Sequence, residues 1–164
     1  MILNMTPFAL FHVLLSLVGI VSGFAVVFGL INAKRLSGWT AIFLTTTVAT
    51  SVTGFLFPFH KLLPSHILGV LSLIALAVAI HALTRRRLAG GWRSAYVVST
   101  VTALYLNVFV LVAQLFMKVP ALRALAPRQS EGPFKLAQLS VLIVFLLLGI
   151  FATKRFRLVE AVTI

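Results

Sequence analysis

The sequence predicts an all-α integral membrane bundle of five transmembrane helices, and three features predict it. Hydrophobic residues make up 61% of the 164 and charged residues only 10%, where a soluble domain carries about a quarter. Only two residues are acidic, Glu131 and Glu160, which leaves a formal net charge of +12. The apolar residues come in long runs, and the cations collect where those runs end. A mean hydropathy of +1.14 cannot be kept in water by so few charges. Lipid is the solvent that suits it.

A helix needs about 20 residues to cross roughly 30 Å of hydrocarbon. The first run that qualifies covers 8–32. It has no Lys or Arg from Met1 to Phe11 and meets its cations, Lys34 and Arg35, at the far end. A secretory signal has the reverse order and an apolar core of roughly 7–15 residues, so a retained span is expected. The second run, 39–57, follows Arg35-Leu-Ser-Gly38 and closes at Pro58. The third, 64–83, opens on Pro64, whose missing N–H costs nothing in a first turn. It ends at Arg85, Arg86 and Arg87 with Gly90-Gly91 beyond, cations lying at the negative end of the helix dipole. The fourth covers 94–117. The fifth covers 131–153, with Ser130 as its expected N-cap and Glu131 in its first turn. Residues 1–164 thus make one transmembrane domain.

Orientation follows from the cations. Lys34, Arg35, Arg85, Arg86, Arg87, Arg93, Lys154, Arg155 and Arg157 fall on one side; Lys61, Lys118, Arg123, Arg128 and Lys135 fall on the other. The richer side belongs in the cytoplasm, which puts the N-terminus outside and the C-terminus inside a bacterial inner membrane. Trp39 and Trp92 mark the same cytoplasmic boundary. The loop 118–135 is apolar enough around Val119–Ala126 to lie in the interface, either as a passive connector or as a lid on the outer face.

Small and polar residues recur at helical spacing. His12, Ser16, Gly19 and Gly23 share one face, as do Thr47, Ser51, Gly54 and Pro58. Ser65, Gly69, Ser72 and Ala79 form a third stripe, and Thr100, Ala103, Asn107 and Gln114 a fourth. In lipid, helices associate through such close packing and shared hydrogen bonds, so these faces are expected to point inward.

Several function classes are excluded or disfavoured. The cations flank apolar runs and form no patch for nucleic acid. With no cysteine and no aspartate, thiol chemistry and the usual nucleotide and HExxH motifs are missing, and no catalytic residue or metal site is assigned. The spans hold no charge at mid-depth, which disfavours ion-coupled transport.

The four histidines carry the remaining chemistry. His12, His60 and His66 fall near the outer boundary, and Gln114 and Gln138 reach a similar depth. A cofactor pocket lined by His12, His66, Gln114 and Gln138, with His60 at its mouth, can be drawn. Paired imidazoles ligate b-type haem, a ring N–H can bond a quinone, and Gly69 leaves room for a flat ring one turn from His66. Structurally, the same residues serve as interfacial anchors and helix ties. His81 stands apart beside the arginines.

Two segments carry a resemblance. LYLNVFVLVAQLFMKVPALRALAPRQSEGPFK, Leu104–Lys135, resembles a stretch in small five-helix bacterial inner-membrane proteins of similar length. FPFHKLLPSHILGVLSL, Phe57–Leu73, is similar to their second–third connection. The resemblance implies a fold and no activity. More loosely, histidines at outer helix ends look like those of small haem-bearing membrane cytochromes. The expected role is a non-catalytic accessory or scaffolding subunit among lipid, membrane protein partners or its own copies. The alternative is a redox protein binding haem b or a quinone through the outer histidines.

Overall fold

A computed structural model describes residues 6–57 and 64–158. Among them the chain is helical, with α1 at Pro7–Ile31, α2 at Ser37–Gly54, α3 at Pro64–Thr84, α4 at Trp92–Lys118, α5 at Pro120–Leu125 and α6 at Gly132–Leu158. Four of these, α1, α3, α4 and α6, are long and apolar enough to cross a membrane, in keeping with a multi-pass membrane protein. The second expected span differs from the rest. Its helix is 18 residues long, shorter than the expected 39–57 at its far end, and eight of the 18 are Ser or Thr.

Consecutive long helices run antiparallel, as their contacts show. Between α1 and α2, His12 meets Thr53, and the backbones at Gly19, Gly23 and Gly29 approach Thr47, Phe43 and Leu36. Between α4 and α6, Arg93 lies over Phe156, Tyr105 against Phe145 and Phe116 against Phe134. As one number rises, the other falls. Helix α2 lies between α1 and α3, contacting Ser72 and His66 of α3 through Ser51 and Phe55. The core gathers around α4, where Tyr96, Val97, Ala103 and Leu104 are all fully enclosed.

Glycine is required where α1 packs. A Cβ on Gly23 would stand 2.6 Å from Leu104 Cδ1 and 2.8 Å from the Phe43 ring, so only hydrogen lets the three helices meet there. The α1 terminus is a Schellman turn: Lys34 N–H donates to Gly29 O at 2.8 Å, with Ala33 left-handed at φ 56°. Past the α3 terminus Gly90 takes the left-handed region at φ 54°, and so do Arg87 and Leu88, at φ 49° and 60°, with Leu88 buried at the bundle end. Helix α6 begins at Gly132 and not at the expected Glu131, whose carboxylate folds back onto the preceding turn.

Hydroxyl groups inside apolar helices are handled locally. Ser22, Thr46, Thr53 and Ser99 each donate to the carbonyl four residues back, at 2.6–2.7 Å. This bond satisfies the hydroxyl without a second helix; in α2 it serves Thr46 and Thr53.

Candidate functional site

The start of α1, the end of α2 and the start of α3 meet at one end of the bundle and hold the two described histidines of the expected pocket. His12 Nδ1 lies 2.8 Å from the Thr53 hydroxyl, and its ring meets the Phe57 ring edge-on at 5.1 Å. Phe8 packs on the other side of Phe57 at 4.9 Å. His66 is buried and stacks on Phe55 at 5.8 Å. Both imidazoles therefore press against α2, each on its own phenylalanine. The notch at Gly69 holds a flat ring, and that ring is Phe55: a Cβ there would stand 3.0 Å from its Cζ. His60 lies outside the described residues.

The two glutamines part company. Gln138 is buried and donates through Nε2 to Phe109 O of α4 at 3.1 Å. Gln114 is exposed. The C-terminal end of α4 faces the following loop through Ala113, whose carbonyl accepts from Gln129 Nε2 at 2.7 Å, and faces α6 through Phe116. Gln114 sits about 100° around the helix from Ala113, hence outside that contact. The structure thus gathers His12, His66 and Gln138 into separate helix contacts, with Gln114 on the surface.

No family model, curated protein or solved structure matches this chain. Its chemistry must be read from its own residues.

A second polar region, built largely from residues of the expected inward stripes, lies deeper between α1, α2 and α4. Ser16 Oγ donates to Asn107 Oδ1 at 3.4 Å. At Gly19 the Thr47 hydroxyl and the Asn107 amide nitrogen come within 3.0 and 3.3 Å of where a Cβ would be. Those two atoms and the Thr50 hydroxyl are buried without a hydrogen-bond partner among the described residues. Toward the other end, the Tyr96 phenol sits among the Thr40 and Thr100 hydroxyls, close enough to interact yet with no well-aligned bond. The small-residue spacing on α1 hinted at this seam. Across it, Thr47, Thr100 and Asn107 belong to the stripes expected to point inward and are buried, whereas Thr40 and Thr50 lie outside those stripes.

Two concavities border the bundle. One of about 190 Å³ is lined by Arg35, Thr40 and Leu83 among others. The other, of about 560 Å³, is a long apolar groove between α4 and α6. Near the α3–α4 turn, Trp92 receives the Arg86 guanidinium over its face at 5.0 Å and the His81 ring at its edge at 5.1 Å, a cation–π arrangement that ties this turn together. Among the described residues no three of His, Asp and Glu converge as a metal would need.

Proposed function

We propose that the chain crosses a bacterial inner membrane five times and serves as a non-catalytic scaffolding subunit of a larger membrane assembly. Helix α2 is taken as the fifth span. It runs antiparallel beside α1 over matching depth, and its 18 residues rise about 27 Å, close to the hydrocarbon thickness. The observation that carries the scaffolding reading is how polar side chains are used. His12 with Thr53, Ser16 with Asn107, Ser51 with Ser72 and Gln138 with the Phe109 carbonyl each join one helix to another. Such ties fix a shape. Helix α6, packed along α4, meanwhile leaves most of its surface uncovered, with 17% of its apolar window buried against 50% for α4.

Mild extraction followed by native mass spectrometry tests this reading. A co-migrating membrane protein or a homo-oligomer is expected. A bare monomer under every gentle detergent would refute the assembly role. An absorption spectrum of the same sample addresses the redox alternative, which requires a Soret band or extractable quinone.

A further inference from the structure

The groove between α4 and α6 has the dimensions and charge of a site for one lipid chain. Its α6 wall runs from Leu142 to Lys154. Those twelve residue steps rise about 18 Å, a little more than half of the roughly 30 Å hydrocarbon core, so the groove is one leaflet long. The Tyr105 and Phe145 rings, 5.7 Å apart, line it toward its mid-membrane end, with Leu142 one turn beyond. The floor is formed where Gly149 meets Val101, at 3.5 Å from its would-be Cβ. At the other end stands Lys154, exposed beside Val98. Neither α4 nor α6 carries an Asp or Glu to neutralise that ammonium.

We infer that this groove binds an anionic phospholipid, one acyl chain lying between α4 and α6 and the phosphate headgroup on Lys154. The assignment rests on the membrane reading above and is independent of the assembly role. Its occupant follows from the charge: an apolar trough ending in a cation with no acidic neighbour among the described residues selects a headgroup with net negative charge.

Native mass spectrometry of the detergent-purified full chain, titrated with dioleoyl phosphatidylglycerol and dioleoyl phosphatidylethanolamine, reads the selectivity. One phosphatidylglycerol is expected to be retained about five-fold over phosphatidylethanolamine, the effect of one lysine near a headgroup. Lys154→Gln should bring that ratio to about one, while Arg155→Gln, which alters the neighbouring cation outside the groove lining, should leave it unchanged. Val98→Trp fills the trough from a position already exposed and should remove the retained lipid, with helicity checked by circular dichroism. Leu142→Trp does the same from α6 if the first variant misfolds. Equal retention of both lipids by the wild type, or selectivity surviving Lys154→Gln, overturns the assignment. So does a wild-type dimer abolished by Val98→Trp without lipid selectivity, since the groove would then hold a second copy of the chain. Failure of the scaffold reading shows separately, as a monomer that still selects its lipid.

Discussion

At the scale of single residues, steric fit decides more than polarity. Gly23 and Gly38 both stand in helices, yet a Cβ meets Leu104 and Phe43 at the first and nothing within 4 Å at the second. Gly23→Ala forces three helices apart and should cost about 1–3 kcal/mol. Gly38→Ala should change stability by less than about 0.5 kcal/mol. Thermal unfolding in detergent compares them, and equal effects would show that the α1 contact is looser than the structure has it. Glu131 offers a titration outside the bundle. Partial desolvation, the largest single influence, favours its neutral form. The backbone N–H groups of Glu131 itself, Ser130 and Arg128, with the Arg128 charge, together outweigh it and hold the carboxyl below its ordinary value of 4.5. A carboxyl lowered in the folded state lends the loop stability that is complete above the ordinary value and lost as pH falls through the lowered one. The Arg128 and Ser130 amide resonances should therefore titrate with a midpoint under 4.5, and Glu131→Gln should abolish that titration. A midpoint at or above the ordinary value contradicts the bond pattern.

At the scale of elements, α2 shows what a hydroxyl contributes when buried. Thr50 Oγ1 has no partner among the described residues, whereas Ser51 donates to Ser72 at 3.1 Å. Removing an unsatisfied buried hydroxyl costs nothing and relieves its desolvation, so Thr50→Val should leave stability unchanged or raise it. Ser51→Ala should lose about 0.6 kcal/mol, the usual worth of a hydrogen bond between membrane helices. A loss on Thr50→Val would mean the hydroxyl bonds something. The same helix marks how far the sequence could be read. The limits of α1, α3 and α4 follow from run length and flanking cations, and the structure has them within two residues of the expected ends. For α2, polar content and apolar burial pull in opposite directions: Phe43 and Leu44 are buried while Thr46 and Thr53 turn their hydroxyls onto their own helix. The site was less legible. Helical spacing does put His12, Ser16, Gly19 and Gly23 on one face, but spacing holds no information on which neighbour fills the space beside a histidine. Phe55 and Phe57 fill it here, and only the three-dimensional register reveals that.

At the scale of the whole molecule, the proposed orientation rests on a charge imbalance distributed over turns that no single residue controls. Antiparallel succession puts the α1–α2 turn and the α3–α4 turn at one end of the bundle, while the α4–α6 connection with α5 lies at the other. The first end holds Lys34, Arg35 and the Arg85–Arg87 run, none of which has an acidic neighbour in sequence. Moving such clusters across an energised membrane is opposed by about 2.3 kcal/mol per charge per 100 mV, so the proposed topology keeps them where the chain is made. The absence of cysteine makes the test direct, because each introduced thiol is the only one present. Cysteines at exposed Ala89 and Leu125, which stand at opposite ends, are labelled in intact spheroplasts with a membrane-impermeant maleimide. Leu125→Cys should react at once, and Ala89→Cys only after the membrane is opened. A third position, Lys34→Cys, separates five spans from four. If α2 crosses, it behaves as Ala89→Cys does. If α2 folds without crossing, α1 and α3 must enter from opposite sides, and Lys34→Cys reacts in intact cells while Ala89→Cys stays protected. That outcome would also place the outer histidines of α1 and α3 in different leaflets, and the contacts both make with α2 would then be impossible.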